Sequence, residues 1–438
     1  MKIIKHPTKQ QLTEALHRPA IDRENLDAVV SDILKNVKTN GDAALHEYTF
    51  RFDGVEIENR LVSSDEMKQA ENALPEKLKT AIRQAAKNIH TFHAAQVEPI
   101  RKIETMPGVV CWRKSVGIER VGLYIPGGTA PLFSTVLMLG IPAQIAGCQE
   151  VVLCTPPAKD GRVHPAILFA ARVAGISRIY KVGGAQAIAA LAYGTETIPA
   201  VRKIFGPGNR YVTAAKQLVQ KDGIAIDMPA GPSEVMVFAD ETCVPTFVAA
   251  DLLSQAEHDV DSQVVFLTTS ETVLEQVLKQ VDVQTKMLPR QKMLQAALSH
   301  SVAVLLENEE KALEAINLYA PEHLILACEK AADMADKVVN AGSVFLGNYT
   351  PEAAGDYASG TNHTLPTNGF ARSYSGVSVD SFVKKITFQQ ITREGIQSLG
   401  PTILEMAEAE QLPAHALAVS LRTMEVDFKP AEKLSNEH

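Results

Sequence analysis

The N-terminal quarter of the chain carries the hydrophobic pattern of amphipathic helices. Apolar positions recur at spacings of three and four between charged residues, so that they share one helical face. The pattern predicts one helix that begins near Asp22 and a second over residues 74–95. Cys111 and Trp112 follow, and we interpret both as packing residues. We therefore expect residues 1–118 to form a mainly helical region.

From Val121 onwards, short apolar runs alternate with helical stretches. Runs of this kind are typical of strands, and they begin at residues 121, 151, 178, 203, 263, 302, 323 and 343. Strands that alternate with helices predict a parallel sheet covered by helices. Two such series, split near Phe238, predict an α/β protein. Its lobes would span residues 119–238 and 239–378, and a helical tail would follow over residues 379–438.

One uncharged stretch, residues 121–149, is long enough to cross a membrane. Pro126, Pro131 and Pro142 interrupt it, whereas a membrane span needs a continuous helix with satisfied backbone groups. We interpret the stretch as a buried strand, a loop and a buried helix, and we expect no membrane partner.

Charge and cysteine content narrow the class of protein. The net charge is −8 and the pI is about 5.9, which gives no reason to expect nucleic acid as a partner. The N-terminal residues lack the apolar run of a signal peptide. The five cysteines include no Cys-x-x-Cys pair. A reducing, cytoplasmic setting is the simplest interpretation.

The first candidate chemistry is the sequence Asp-Leu-Leu-Ser-Gln-Ala-Glu-His at residues 251–258. It ends a predicted amphipathic helix, and Gln255 and His258 are three residues apart on one face. A neutral imidazole beside an amide oxygen can ligate a cation such as Zn²⁺. The alternative is a solvated, polar helix end.

A second candidate is the pair Glu322 and His323, which stands at the mouth of a predicted strand. A histidine beside a carboxylate can act as a general base. Adjacent residues of an extended segment are expected to point to opposite sides. A surface Glu–His pair is the alternative. A later loop, rich in Gly, Ser, Thr and Asn, is typical of binding loops, and its Asp356 could give a carboxylate to a metal.

Glycine-rich turns follow three of the predicted strands, at residues 127–128, 183–184 and 206–208. Gly206 and Gly208 match the first two glycines of a dinucleotide fingerprint, but Tyr211 stands where the third would be. Open α/β sheets bind ligands at such turns, although simple strand-to-helix turns are the alternative.

Six further motifs, taken together with residues 251–258, resemble the histidinol dehydrogenase family. They occur in the family's order and cover nearly the whole chain. They are Val-Gly-Leu-Tyr-Ile-Pro-Gly-Gly at 121–128, Val-Gly-Gly-Ala-Gln-Ala-Ile-Ala-Ala-Leu-Ala at 182–192, Ile-Phe-Gly-Pro-Gly-Asn at 204–209, Ile-Asp-Met-Pro-Ala-Gly-Pro-Ser-Glu-Val at 226–235, Ala-Pro-Glu-His-Leu-Ile at 320–325 and Ala-Gly-Asp-Tyr-Ala-Ser-Gly-Thr-Asn-His at 354–363.

The resemblance implies two Rossmann-like lobes, with the N-terminal region packed against the second lobe, and a four-electron oxidation. L-Histidinol would be converted to L-histidine through bound L-histidinaldehyde, in the last steps of histidine biosynthesis. The implied cofactors are NAD and one Zn²⁺ per subunit. The incomplete fingerprint indicates that NAD is held in a non-standard way. The resemblance also implies a homodimer whose active sites are shared between subunits.

The resemblance further implies a role for individual residues. The implied catalytic pair is Glu322 and His323. The implied NAD contacts are Tyr124, Gln186 and Asn209. The implied zinc ligands are Gln255, His258, Asp356 and His415 of the partner subunit. The implied substrate contacts are Ser233, Gln255, His258, His323, Asp356, Glu410 and His415. His363 matches no family ligand, and we expect it to form hydrogen bonds in its loop. Asp259 departs from the family pattern, in which glycine is commoner.

Two other classes of protein share part of this pattern. A zinc hydrolase could use the same ligands, but the chain has no His-Glu-x-x-His motif. A non-catalytic metabolite-binding protein would also have two α/β lobes, but it would not need Glu322 and His323 beside a metal. Formation of NADH from histidinol separates these classes from a dehydrogenase.

Overall fold

The computed structural model describes residues 1–18, 24–127, 131–229 and 231–424. The chain forms two compact units. The first consists of residues 1–97 and 117–383, and the second of residues 98–116 and 384–438.

The first unit contains a five-stranded parallel sheet. Its strands are β4 (Arg120–Tyr124), β5 (Glu150–Thr155), β6 (Arg178–Lys181), β7 (Lys203–Phe205) and β8 (Ala225–Ile226). They lie in the order β6-β5-β4-β7-β8, so the order reverses beside β4, as in doubly wound sheets. Leu123 and Leu153 face one hydrophobic cluster, and Val152 and Cys154 face the other. This alternation is that of strands covered on both faces.

Helices cover both faces of this sheet. They are α2 (Glu24–Asp53), α3 (Ser64–Ala73), α4 (Glu76–Ala94), α5 (Phe133–Ile145), α6 (Pro165–Val173), α7 (Gly184–Tyr193) and α8 (Arg210–Val219). One face carries α2, α7 and α8, and the other carries α3 to α6. The N-terminal helices α2, α3 and α4 therefore pack on the first sheet, and not with the second lobe as expected. The uncharged stretch at 121–149 therefore forms a buried strand and a buried helix, as predicted, although residues 128–130 of its loop lie outside the described residues. Among the helices that the structure describes, none is long and apolar enough to cross a membrane.

The first unit also contains a six-stranded parallel sheet. Its strands are β1 (Lys2–Lys5), β9 (Glu234–Ala239), β10 (Gln263–Thr268), β11 (Val302–Leu305), β12 (His323–Ala327) and β13 (Ser343–Leu346). The order is β1-β11-β10-β9-β12-β13. Apart from the edge strand β1, this is the same doubly wound order as in the first sheet. The two parallel sheets confirm the predicted α/β class.

Helices also accompany the second sheet. They are α1 (Lys9–Ala15), α9 (Pro245–Ala256), α10 (Glu271–Met287), α11 (Gln291–Ser299), α12 (Glu309–Tyr319), α13 (Ala331–Ala335) and α14 (Glu352–Tyr357). Because α9 connects the parallel strands β9 and β10, it runs back along the sheet. Its C-terminal end therefore lies at the edge where the strands begin, and α14 packs against it.

The second unit combines a small sheet with two helices. The sheet has the order β14-β3-β2, with β2 (Lys102–Met106), β3 (Val109–Gly117) and β14 (Val383–Ile391). Trp112 stacks on Phe388, with the ring centroids 5.4 Å apart. The helices α15 (Arg393–Ala409) and α16 (Pro413–Thr423) pack against each other, and they confirm the helical pattern predicted for the tail.

Six of the described strands lie where the sequence pattern did not place them, and β8 and β9 are two of these. β1, β2 and β3 fall in the N-terminal region that was expected to be mainly helical, and β14 falls in the tail. Most side chains of β1, β2 and β14 are exposed, so these strands lack the buried face on which the alternation of apolar residues depends. In addition, β9 belongs to the second sheet, so the change of sheet falls before Glu234, earlier than the split expected near Phe238.

Candidate active site

Glu322 and His323 are both held by the backbone of Glu234, the first residue of β9. The amide nitrogen of Glu234 donates to Glu322 Oε2 over 2.9 Å. The carbonyl oxygen of Glu234 lies 3.2 Å from His323 Nδ1. Glu322 Oε2 and His323 Nδ1 are consequently only 3.6 Å apart. The two side chains do not point to opposite sides as expected, because Glu322 precedes the first residue of β12 and is outside the regular pleat.

The contact with Glu234 fixes the tautomer of His323. A carbonyl oxygen can only accept a hydrogen bond, so Nδ1 carries the proton and Nε2 keeps its lone pair. Nε2 is buried and has no hydrogen-bond partner among the described residues. Burial lowers the pKa of His323 to about 4, because desolvation disfavours the charged imidazolium. The ring is therefore neutral, with Nε2 as its basic atom.

The end of α9 supplies Gln255 and His258. Gln255 lies in the last turn of the helix and is fully buried, yet neither its amide oxygen nor its amide nitrogen has a partner within the described part of the chain. His258 lies two residues beyond the helix, in a turn in which its backbone nitrogen donates to the carbonyl of Gln255 over 3.2 Å. A buried amide without a hydrogen-bond partner lowers the stability of the folded protein. The side chain of Gln255 is therefore suited to bind a ligand such as a metal ion.

The short helix α14 brings two carboxylates to the same place, and Asp356 thus lies on a helix and not in the loop in which it was expected. Glu352 and Asp356 are four residues apart and therefore share one face. Asp356 Oδ2 lies 3.9 Å from His258 Nε2. One ligand atom each of His258, Glu352 and Asp356 lie within 4.8 Å of one another. We call these three residues with Gln255 the cation cluster.

The charges of this region are unbalanced without a cation. Both carboxylate oxygens of Glu352 are buried and have no hydrogen-bond partner among the residues described. Burial, followed by the charges of Asp356, Glu322 and Asp251, raises the pKa of Glu352 well above its usual range. Burial likewise raises the pKa of Glu322, and it raises that of Asp251 to about 7. Nitrogen and oxygen donors with an excess of negative charge fit a divalent metal such as Zn²⁺.

His323 connects the predicted catalytic pair to the cation cluster. Its Nε2 lies 3.8 Å from Asp356 Oδ1, and its Nδ1 lies 3.8 Å from Glu352 Oε1. The predicted catalytic residues and the predicted ligands Gln255, His258 and Asp356 therefore form one site. It lies where the strands of the second sheet begin, on the opposite edge from the one where open α/β sheets usually bind ligands.

His363 supports the site through hydrogen bonds on both ring nitrogens. Nδ1 lies 2.9 Å from the carbonyl oxygen of Asp356, and Nε2 lies 3.1 Å from Thr135 Oγ1. The expectation that His363 forms hydrogen bonds in its loop is confirmed. Because Thr135 lies in the first turn of α5, this contact also joins the cation cluster to a helix of the first sheet.

Ser233 lies directly before β9, next to the residue that holds the catalytic pair. It is half-buried, and its carbonyl oxygen accepts a hydrogen bond of 3.2 Å from the amide nitrogen of Gln263. The neighbouring Ala230 lies outside the described residues. The structure thus places Ser233 beside Glu234, at the same edge of the second sheet.

The three predicted NAD contacts gather at the carboxyl edge of the first sheet. Tyr124 ends β4, and its hydroxyl accepts a hydrogen bond of 3.1 Å from the amide nitrogen of Gly184. Gln186 lies in the first turn of α7. Asn209 is the N-cap of α8, and its side-chain oxygen accepts from the amides of the next turn at 3.0 and 3.1 Å. This edge, at the reversal of strand order, is where such sheets bind nucleotides.

Gly206 shapes that edge through its close approach to β4. Its φ is 127°, and a Cβ placed there would lie 2.0 Å from the carbonyl oxygen of Tyr124. Lys216 Nζ donates to the carbonyl of Gly206 over 2.8 Å, and Asp227 Oδ2 accepts from its amide over 2.8 Å. Glycine is required here because any side chain would displace the β4 backbone.

Glu410 and His415 belong to the second unit. Glu410 is the C-cap residue of α15, and His415 lies in the first turn of α16. Both side chains are exposed. They therefore lie in a different unit from the cation cluster.

Two residues of the site were not anticipated from the sequence. Glu352 stands four residues before Asp356, and this helical spacing could have indicated a second carboxylate. Glu234 acts through its backbone, so its role leaves no side-chain signal in the sequence. Both are fully or almost fully buried, with 0% and 2% of their surface exposed, which is rare for glutamate unless it is paired or ligating.

Comparison with known proteins identifies the family. A sequence profile of the histidinol dehydrogenase family matches residues 16–423. The chain is 58% identical to a histidinol dehydrogenase of Bacteroides thetaiotaomicron over 96% of this chain and 99% of that protein. It is 53% identical to one of Xanthomonas axonopodis pv. citri over 94% and 96%.

A solved structure agrees with this result. The crystal structure of histidinol dehydrogenase from Elizabethkingia anophelis matches with a TM-score of 0.95 and 56% identity. The match covers 96% of this chain and 98% of that one. From the match over nearly the whole length, in both sequence and structure, it follows that the chain belongs to the histidinol dehydrogenase family.

Proposed function

We propose that the protein oxidises L-histidinol to L-histidine through bound L-histidinaldehyde, with two NAD⁺ reduced in succession. The single observation that carries this proposal is the joining of Glu322, His323 and the cation cluster in one site, in which every member except His258 is buried. Family membership supports the substrate, since the relatives are named for their action on histidinol. The product places the protein in histidine biosynthesis, and the cytoplasmic setting stays a prediction.

His323 is the proposed general base. Its Nδ1 proton is held by the Glu234 carbonyl at 3.2 Å, so the unpartnered Nε2 is directed to the substrate. A base in this position takes the proton of the substrate hydroxyl as the carbon loses its hydride. The neutral ring required for this role is the form that burial favours.

Glu322 is the proposed base for the second step. An aldehyde must be hydrated before another hydride can leave, and a carboxylate can take the proton from the attacking water. One oxygen, Oε2, is fixed by the Glu234 amide at 2.9 Å, so we assign the proton transfer to Oε1. The same backbone residue therefore positions the groups for both steps.

Zn²⁺ would be held by Gln255, His258, Asp356 and His415 of the partner subunit, with one ion per subunit. The unpartnered amide of Gln255 and the short distances between His258 and Asp356 support these ligands. When bound, the metal would act as a Lewis acid that binds the nitrogen atoms of histidinol and so orients the substrate. Holding the substrate in a fixed geometry is itself a large contribution to rate.

The remaining contacts complete the proposed complex. NAD, which accepts the hydride, would bind Tyr124, Gln186 and Asn209. Histidinol would contact the residues that surround the cation cluster and the partner's tail. These are Ser233, Gln255, His258, His323 and Asp356, with Glu410 and His415 of the partner subunit. The active protein would be a homodimer, as the family resemblance implies, and the exposed side chains of Glu410 and His415 are free to meet a neighbouring subunit.

The direct test is zinc-dependent formation of NADH. Purified protein loaded with Zn²⁺ should raise the absorbance of NADH when histidinol and NAD⁺ are added. Removal of the metal with a chelator should abolish the signal, and added Zn²⁺ should restore it. A protein that binds histidinol and zinc without forming NADH would contradict the proposed function.

A further inference from the structure

We propose that Arg18 is a positioning residue for the catalytic pair, acting through the side chain of Glu234 and the ring of Tyr319. We call these three residues the Arg18 clamp. The role assigned to the clamp rests on the proposed function of Glu322 and His323. The contacts that define it do not depend on that function.

The backbone of Glu234 contacts both members of the proposed catalytic pair. Its amide donates to Glu322 over 2.9 Å, and its carbonyl accepts from His323 over 3.2 Å. A single residue therefore sets the positions of two side chains. A shift or rotation of this peptide segment would move both proton-transfer groups at once.

The side chain of Glu234 is the part that Arg18 fixes. Arg18 Nε donates to Glu234 Oε2 over 2.6 Å, and Arg18 Nη2 donates to Glu234 Oε1 over 2.7 Å. This two-bond pairing restrains the rotation as well as the position of the carboxylate. Only 3% of the Glu234 side chain is exposed, so the pair is shielded from water.

Tyr319 contacts both Arg18 and Glu234. Arg18 Nη2 also donates to the carbonyl oxygen of Tyr319 over 2.8 Å, and its guanidinium carbon lies 3.8 Å from the centre of the Tyr319 ring. The Tyr319 hydroxyl lies 3.2 Å from Glu234 Oε2 and 2.8 Å from Gln263 Oε1. Arg18 is thus bound by a carboxylate, a carbonyl and an aromatic face, which a lysine ammonium cannot reproduce together.

Loss of Arg18 would leave Glu234 as a buried carboxylate without its cation. Such a charge is strongly unfavourable, and the region already contains Glu322, Glu352 and Asp356. We expect the Glu234 side chain to turn towards water, and the start of β9 to move with it. The hydrogen bonds to Glu322 and His323 would then lengthen, while the zinc ligands on α9 and α14 would stay in place.

The test compares Arg18→Ala and Arg18→Lys with Arg120→Ala as a matched control. Arg120 also binds a glutamate, Glu150, and a backbone carbonyl, that of Ala200 at 3.1 Å. It lies where β4 begins, at the edge of the first sheet opposite the predicted NAD contacts. Loss of Arg120 therefore removes an arginine–glutamate pair without touching the catalytic pair, although this pair is more exposed and Glu150 keeps its second partner, Arg178.

We expect Arg18→Ala to lower kcat about 100-fold, the scale of a small misplacement of reacting groups. The KM for histidinol and the zinc content should be unchanged. Added guanidinium ion should restore part of the activity, because it can fill the place of the missing side chain. Arg18→Lys should also be slow but should not respond to guanidinium. Arg120→Ala should keep the kcat of the unmodified protein.

A crystal structure of the variant separates this proposal from the proposed function. In Arg18→Ala, the distances from Glu234 to Glu322 and to His323 should exceed hydrogen-bonding range. If Arg18→Ala does not fold, the same distances are measured in Arg18→Lys. Unchanged distances, or an unchanged kcat, would overturn the clamp. An unmodified protein that fails to oxidise histidinol would overturn the proposed function, and the distances would still decide the clamp.

Discussion

At the scale of single residues, the backbone of Glu234 orients the side chains of Glu322 and His323. His323 is oriented by a carbonyl oxygen, which leaves Nε2 as its basic atom. The thiols of Cys148 and Cys243 are in an environment that does not favour reactivity. Burial raises the pKa of Cys148 to about 11 and that of Cys243 to about 11, which disfavours the thiolate that a covalent mechanism would need.

The roles of the two histidines can be separated by their metal content. His323→Ala should lower the rate of both oxidation steps about 100-fold or more, the usual contribution of a general base, and should keep its zinc. His258→Ala should lose zinc and activity together, because it removes a ligand. Metal analysis of the two purified variants distinguishes them, and a His323→Ala protein that lacks zinc would contradict the assignment.

The proposed role of Glu322 in hydration of the aldehyde can be tested by an isosteric substitution. Glu322→Gln keeps an oxygen that can accept from the Glu234 amide but cannot take a proton from water. Oxidation of histidinaldehyde should therefore slow more than oxidation of histidinol, since only the aldehyde step consumes a water. Single-turnover rates with each substrate give the comparison. Equal slowing of both steps would argue that Glu322 has no special role in hydration.

At the scale of elements, α9, α14, β9 and β12 meet at the edge where the strands of the second sheet begin. The sequence predicted the helix that carries Gln255 and the strand that starts at His323, because both have a strong apolar period. It did not predict that Glu352 joins the cluster or that Glu234 holds the catalytic pair. Those contacts depend on how separate segments pack, and a local pattern does not contain that information. The strands β1, β2 and β14 were missed for another reason, since their mostly exposed side chains leave no alternation of apolar residues to detect.

The buried carboxylate of α14 makes a testable contribution to stability. The pKa of Glu352 is raised in the folded protein, so the folded state keeps the proton at pH values where the unfolded state, with an ordinary pKa of about 4.3, has lost it. The free energy of unfolding of zinc-free protein then falls as pH rises. Glu352→Gln removes this loss, so zinc-free Glu352→Gln should unfold at a higher temperature than the unmodified protein, increasingly so towards pH 8.

The same substitution should act in the opposite direction on metal binding. Removal of a negative charge beside His258 and Asp356 should weaken Zn²⁺ binding about 10-fold or more, as for other groups that support a metal site. Glu314→Gln, on an exposed glutamate of α12, is the control and should change neither property. Calorimetric unfolding and zinc titration measure the two effects. A zinc-free Glu352→Gln protein that unfolds at a lower temperature would contradict this account.

At the scale of the whole molecule, two parallel sheets provide two different edges. The first sheet offers its carboxyl edge to the predicted NAD contacts, and the second offers the opposite edge to the catalytic pair. The hydrogen bond between His363 and Thr135 joins these regions within one compact unit. Glu410 and His415 lie on the second unit, and in the proposed complete site they come from a neighbouring subunit.

Shared sites can be detected by mixing two inactive variants. His258→Ala and His415→Ala should each be nearly inactive as homodimers. In a mixed dimer with two-fold symmetry, one site collects both substitutions and the other collects none. Mixing should therefore restore about half of the activity per mixed dimer, by that count of sites. If the tail served its own chain, every site would keep one substitution, and mixing would restore nothing.

The stoichiometry of the reaction distinguishes a four-electron oxidation of histidinol from a two-electron one. A known amount of histidinol is incubated with excess NAD⁺ and zinc-loaded protein until the absorbance is constant, and NADH and histidine are then quantified. A four-electron oxidation predicts two NADH for each histidinol consumed, with histidine as the product. One NADH per histidinol, with accumulated histidinaldehyde, would contradict the account and reduce the protein to an alcohol dehydrogenase.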